Sequence, residues 1–373
     1  MTPANVQGQN AAHTGWYGVA VAALDYLLCA WRNDFRDAAH VLSFPRSQGF
    51  AVDRDEQSAD LFPRAVIADA LIDAAEHGAP LEAELRREIA HLLACRRSTG
   101  IGGWAYYPAL TELPPDADDL AAVMQVLLRC GLSGVVRELC ELPLVTLLRD
   151  GAHDDGGFEA WIVPRDNRTP EQARQADWIE LAWGAGADAE VVANLLYALV
   201  LYDRVRFADV LARGAGYLEE QQQADGSWLS TWYHGPYYGT YVAVRALTAI
   251  GGASRTRIER ASDFLSAARR TDAGWGLPGA DSDPLSTSLA LLGLTRTRCA
   301  LGEASATLRL LQEQCVDFPP VPFIRMQLGR HTGRVRQTLS YGSGPVTAAY
   351  VLKAALARCA ADSGVAPKLS SPG

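Results

Sequence analysis

The chain has 373 residues, 49% of them hydrophobic, and a formal net charge of −9. That balance excludes a nucleic-acid partner and argues against anionic membrane surfaces, because both need a basic face. The start, MTPANVQGQN, lacks a basic n-region, and the first apolar run, Gly18 to Trp31, is broken by Asp25 and too short to span a bilayer, so the chain reads as cytoplasmic, touching membranes only transiently for an apolar substrate.

Apolar residues recur at helical spacing almost throughout, and no convincing alternating strand stands out. In chain order the pattern predicts helices over about 14–32, 60–76, 82–97, 117–131, 133–149, 188–203, 206–222, 238–251, 255–270, 284–298, 302–316 and 343–359, separated by Gly, Pro and Asp clusters. Residues 362–373 are small, polar and Pro-containing, and read as a disordered tail behind one domain, 1–361. The seven cysteines, Cys29, Cys95, Cys130, Cys140, Cys299, Cys315 and Cys359, form no CxxC pair. Most fall in apolar helical stretches without a suitable histidine, as expected of free thiols in a reducing compartment.

A repeat pairs the helices. From Arg213 the chain reads Arg-Gly-x-x-Tyr-Leu-x-x-x-Gln-x-x-x-Gly-x-Trp, ending at Trp228; from Arg260 it reads Arg-Ala-x-x-Phe-Leu, with Trp275 at the same offset from its Leu. The offset recurs from Leu148 to Phe158 and from Ala94 to Trp104. Each unit is a helix, a Gly-rich turn carrying an aromatic ring, then another helix. Such arrays are built from repeated helical pairs. Six pairs close into an all-α, single (α/α)6 barrel of about twelve helices. Gln222 is expected to bind backbone at its helix end, and Trp228 to pack across the turn.

The chemical signal is Pro114-Pro115-Asp116-Ala117-Asp118-Asp119 followed by an apolar helix. Helix capping accounts for one Asp. It does not account for three carboxyls in four residues, which repel one another and favour a retained proton. A protonated carboxyl facing an apolar cavity is a general acid.

GGWAYYP followed by PPDADDLAAVMQVLL resembles the DxDD segment of squalene–hopene cyclases and class II diterpene cyclases, where a GGW turn precedes the acid motif. The Arg213–Trp228 unit resembles their QW motif at every defining position. TWYHGPYYGTYVAVRAL and DAGWG with DSDPLSTSLALLGL continue the parallel over about residues 95–300. The resemblance implies an enzyme that protonates the terminal alkene or epoxide of a linear isoprenoid and closes it into fused rings. It implies Asp118 as proton donor, with Asp116 and Asp119 polarising it. Hopene cyclases brace the acid with a histidine, on a segment that matches Glu190-Val191-Val192-Ala193-Asn194 here, so Asn194 takes the bracing position and Glu190 the earlier acidic one.

Carbocations need a dry cavity walled by π-faces. Trp104, Tyr106, Tyr107, Trp161, Trp232, Tyr233, Tyr237, Tyr238 and Tyr241 are the candidates, with Trp232 and Tyr238 foremost. The family's members usually carry two barrels, and this chain has length for one, like monodomain cyclases of prenylated aromatic acids. No DDxxD metal motif follows Asp118, so a head group is expected to be kept. No cofactor is required, with Mg2+ relevant only for a diphosphate. The run from Arg325 through Arg330 and Arg336, or Arg165 with Arg168, offers arginine forks for a diphosphate or carboxylate head group. A farnesyl or geranylgeranyl chain suits one barrel better than squalene, and its head group is expected to be a diphosphate rather than an aromatic acid. Two other readings share the toroid: a zinc-dependent enzyme such as a protein prenyltransferase β-subunit or lanthionine cyclase, and a non-catalytic terpenoid-binding barrel. The three crowded acids argue against the second.

Overall fold

The computed structural model describes residues 3–48, 50–52, 54–252, 255–297 and 304–363. In chain order its helices begin with α1 (Pro3–Arg32), α2 (Leu61–Glu76), α3 (Glu82–Ala94), α4 (Ala117–Arg129), α5 (Ser133–Leu139), α6 (Glu141–Asp150) and α7 (Pro170–Trp178). They continue with α8 (Ala189–Asp203), α9 (Ala208–Gln221), α10 (Tyr237–Ile250), α11 (Arg255–Ala267), α12 (Pro284–Thr297), α13 (Ala304–Gln314) and α14 (Gly344–Ser363).

These helices have two kinds of surface. α12 buries every residue from Pro284 to Leu294, whereas α11 buries only Ala261, Ser262 and Leu265. A helix apolar on all sides belongs inside and one with a single apolar stripe belongs outside. Packing follows that rule. α2, α4, α8, α10, α12 and α14 each pack on the next, and α14 returns to α2, closing an inner ring. α1, α3, α5 with α6, α9, α11 and α13 form the outer ring, and the chain alternates between the two. The (α/α)6 barrel expected from the repeats is the architecture found.

The aromatic turns lock the pairs. Trp228 Nε1 donates to the Leu218 carbonyl at 2.6 Å, Trp275 Nε1 to Leu265 at 2.8 Å, and Trp104 Nε1 to Leu92 at 2.7 Å. All three indoles are fully buried. Gln222 Nε2 donates to the carbonyls of Gly226 and Arg257, at 2.9 and 2.8 Å. Gly226 (φ +98°) lies against the Arg260 backbone, where a Cβ would come within 2.2 Å of its carbonyl oxygen, and Gly156 (φ +92°) repeats this at Arg213. Only glycine satisfies both the dihedral and the approach.

Three expectations need correction. The helix expected over 133–149 breaks at Cys140, which puts Pro143 in the first turn of α6, where no backbone donor is needed. α7 is an added helix that starts at a Thr169–Gln172 capping box with Pro170 at its first position. Strands also exist, where none was expected. β1 (His40–Ser43) pairs antiparallel with β2 (Glu56–Ala59), and β3 (Ile324–Leu328) with β4 (Gln337–Tyr341). The β3–β4 hairpin contains the arginine-rich run, and its Ile-Arg-Met-Gln-Leu alternation points Ile324, Met326 and Leu328 to one face. Cys299 and the tail from 364 onward lie outside the described residues.

Candidate active site

A cavity of about 450 Å³ opens beside the start of α4. That helix start is held in place by backbone on both sides. Asp116 N donates to the Trp104 carbonyl at 2.9 Å, Ala117 N to Ala160 at 2.8 Å, and Ile162 N to Pro115 at 2.8 Å. Asp116 is the N-cap, its Oδ1 accepting from Asp119 N at 2.7 Å. Asp118 and Asp119 occupy the first turn. Asp116 and Asp119 are buried, while Asp118 keeps part of its surface open. All three border the cavity.

Asp118 is gripped from behind. Asn194, from α8, donates Nδ2 to Asp118 Oδ1 at 2.6 Å and to the Tyr238 hydroxyl at 2.9 Å. The Tyr233 hydroxyl donates to Asp118 Oδ2. Arg245, from α10, donates to Asn194 Oδ1 at 2.8 Å. A guanidinium cannot accept, so this bond fixes which end of the amide faces the acid. Arg245 is itself sandwiched near Tyr197 and Tyr241, 4.3 and 5.4 Å from their ring centroids. The chain therefore places a cation one residue behind the amide, not against the carboxyl.

Burial dominates the electrostatics. It pushes Asp118 up to about 6, although hydrogen bonds from Tyr233 and Asn194 and the charge of Arg245 pull it back. Burial, with the Asp118 charge, pushes Asp116 up to about 7, against its bonds from Asp119. Burial and the Asp116 carboxyl together drive Asp119 well above the carboxylate range. A helix N-terminus favours carboxylate anions; here desolvation and crowding win. The site can hold protons on carboxyls close to neutral pH and present one of them, Asp118, to an apolar space.

The rest of the lining is aromatic and aliphatic. Tyr106, Tyr107, Trp161, Trp232 and Tyr233 all line the cavity. Trp161 stands edge-on to Trp232, with centroids 5.6 Å apart, and Trp183 leans on both. Trp232 is anchored by its Nε1, which donates to Asp188 Oδ2 at 2.7 Å. Phe44, Phe50, Phe62, Trp178 and Trp183 complete the aromatic wall and had no distinguishing sequence signal. Behind Tyr106 lies His40, with Nδ1 3.1 Å from the Tyr106 hydroxyl; burial lowers this imidazole to about 4 and keeps it neutral.

Other candidates fall elsewhere. Trp104 does not line the cavity and serves the repeat turn instead. Tyr238 faces the small space behind the acid, supporting Asn194. Glu190 is buried below the wall, its Oε1 accepting from Thr231 N and Trp232 N at 2.6 and 2.9 Å. It shapes the loop that carries Trp232. Arg325 donates to the Ser230 carbonyl at 2.6 Å, and Arg330 donates to Thr231 Oγ1 at 2.8 Å and lies 3.5 Å from Asp188. Neither arginine lines the cavity, and no Arg, Lys or His does among the described residues.

Comparison with known proteins agrees with this architecture. Human lanosterol synthase is 27% identical over 209 residues, covering 49% of this chain and 28% of that protein. The ent-copalyl diphosphate synthase of Streptomyces sp. (strain KO-3988) is 25% identical over 205 residues, covering 53% of this chain and 33% of that one. The chain thus spans about a third of the length of these relatives. A type II terpene cyclase from Scytonema, solved in complex with geranylgeranyl dihydroxybenzoate, shares the fold with a TM-score of 0.67 at 17% identity, covering 94% of this chain and 99% of that one. No helix among the described residues is long and apolar enough to cross a membrane. The family model of the squalene–hopene cyclase C-terminal domain matches residues 85–297, more than half of the chain and the whole stretch from the acid motif to α12; the chain belongs to this class II terpene cyclase family.

Proposed function

We propose that the protein is a protonation-initiated cyclase of a linear isoprenoid. The observation that carries this reading is the position of Asp118, the one carboxyl of three left open, at the wall of a cavity otherwise lined by rings and aliphatic groups. Asp118 transfers its proton to the terminal alkene carbon, which leaves a tertiary cation. Internal alkenes attack in turn, and the rings of Trp161, Trp232 and Tyr233 shield each cation without adding to it. Loss of a proton next to the last cation ends the sequence, so product and substrate have equal mass. Tyr106, a lining residue whose hydroxyl meets the neutral His40, is placed to accept that proton. Asn194 and Tyr233 hold the acid's rotamer, and Arg245 holds Asn194.

The cavity volume lies toward the small end of small-molecule sites, which favours a farnesyl or geranylgeranyl chain over squalene. Its lining offers a head group only neutral polar side chains such as Ser43 and Gln337, besides the acids. That supports an aromatic head group over a diphosphate, as does the geranylgeranyl dihydroxybenzoate bound by the Scytonema cyclase of the same fold. The test incubates wild type and Asp118→Asn with geranylgeranyl dihydroxybenzoate, farnesyl diphosphate and geranylgeranyl diphosphate, each with and without magnesium. A cyclised isomer from wild type alone is the expected result, with the aromatic substrate preferred. Equal turnover by both proteins would remove Asp118 as the acid. Turnover of diphosphates only, and only with magnesium, would overturn the head-group assignment.

A further inference from the structure

We infer that Asp60, His91 and Cys95 form a zinc-binding site on the flank of the barrel, separate from the acid cavity. His91 and Cys95 are one helical turn apart at the end of α3, and Asp60 stands at the start of α2. Residues four apart share a helix face, so the imidazole and the thiol present side by side. His91 Nε2 lies 3.2 Å from Asp60 Oδ1 and 3.6 Å from Cys95 Sγ, and the three donor atoms all fall within 4.8 Å of one another. Zinc bonds of ~2.0 Å to nitrogen and oxygen and ~2.3 Å to sulfur, at tetrahedral angles, require N···O of about 3.3 Å and N···S of about 3.5 Å. Those two separations are already present.

Two further features favour a ligand role over a simple ion pair. An N-cap aspartate ordinarily bonds the first backbone donors of its helix, but Asp60 makes no side-chain cap bond and turns its Oδ1 to His91. Its Oδ2 is steadied by Arg64 at 3.5 Å, whose guanidinium also meets Glu88 at 2.7 and 2.9 Å and Asp34 at 3.3 Å. Such outer partners orient ligating carboxylates. All three residues are only part-buried, which lets an ion reach them and leaves the fourth position to water. One carboxylate, one imidazole and one thiolate select a borderline cation such as Zn²⁺ over Mg²⁺ or Ca²⁺. Binding releases the thiol proton to solvent. The bound ion would clamp α2 to α3 just before the turn that leads to the acid helix.

The test uses the full-length protein, freed of metal by chelation and dialysis. Zinc is titrated calorimetrically, and cobalt is titrated by absorbance for thiolate-to-metal charge transfer. Cys95→Ser and His91→Gln are compared with wild type, and Cys29→Ser, an exposed thiol elsewhere, serves as control. The expected result is one zinc per chain for wild type and the control, a charge-transfer band lost in Cys95→Ser, and affinity at least tenfold weaker in His91→Gln. Zinc should raise the melting temperature of wild type and the control more than that of either ligand variant. Melts without metal establish that the variants fold. No saturation by zinc at micromolar concentrations overturns the site. So does stoichiometric binding that neither substitution weakens.

Discussion

Two of the carboxyl clusters on the inner ring are in opposite electrical states. At the start of α4, Asp116, Asp118 and Asp119 touch no cation directly, and burial pushes all three up. Elsewhere in the inner ring, Asp69 and Asp73 of α2 meet Lys353 Nζ at 2.6 and 2.7 Å. Arg129, at the far end of α4, also meets them, at 2.5 and 2.6 Å. Burial raises Asp69 as well, but Lys353 and Arg129 more than offset it and hold the carboxyl below its ordinary range. The residue type and the surroundings are alike; the partners decide the charge. One cluster binds helices together, and the other is left with protons to give.

That contrast separates what each cluster contributes. The largest effect belongs to Asp118→Asn, which keeps the shape and removes the acid. Turnover should fall about 10⁴-fold, the upper range for a general acid, with KM nearly unchanged and the melting temperature unchanged or higher. Lys353→Met should do the reverse. It leaves Asp69 and Asp73 with one buried cation fewer, and breaking such a network costs about 3–5 kcal/mol. Urea unfolding should record that loss, while the folded fraction keeps its turnover. A Lys353→Met protein as stable as wild type would show that the second cluster is not structural.

Much of this was legible in the sequence and some was not, for reasons visible in particular residues. The repeat turns were readable because Gln222, Gly226 and Trp228 act within one local unit. The acid motif was readable because crowding is itself a local pattern. Lone charges in apolar helices, such as Arg245 in YVAVRAL, Lys353 in YVLKAAL and Asp69 in VIADALI, have no counter-charge within a helical turn and so form no local pattern. Their partners were hidden, since Lys353 and Asp69 are 284 positions apart. Tyr233 stood in a crowd of tyrosines, and only the fold selects it as the ring whose hydroxyl meets Asp118. Arg325 and Arg330 were read by charge, whereas the alternation around them was a strand signal.

Arg245 holds the amide that holds the acid, without touching the acid itself, and a smaller effect should isolate that link. Arg245→Gln frees Asn194 to rotate, and turnover should fall roughly ten- to hundredfold, the cost of a misplaced catalytic group. A merely structural role would not move the pH profile. The Arg245 charge pulls Asp118 down, so its loss should raise the acid's pKa. With Asp118 in its proposed role, the falling alkaline limb of kcat/KM is expected near pH 6 in wild type and should shift to higher pH in the variant. An unmoved limb would mean that Arg245 acts only through packing.

The smallest effect tests whether the acid cluster carries a stability cost. Asp116 titrates at about 7 in the folded chain, against an ordinary 3.8. Between those values the folded state binds more protons than the unfolded state, so stability falls as pH rises through the window and levels off above it. Asp116→Asn removes this titration, and Asn is as good an N-cap as Asp. The variant should match wild type near pH 4 and exceed it by about 1–2 kcal/mol at pH 8. Denaturant midpoints at the two pH values measure the difference. If wild type is the more stable at pH 8, the carboxyls are paying no penalty for their crowding, and the contrast with the Lys353 cluster fails.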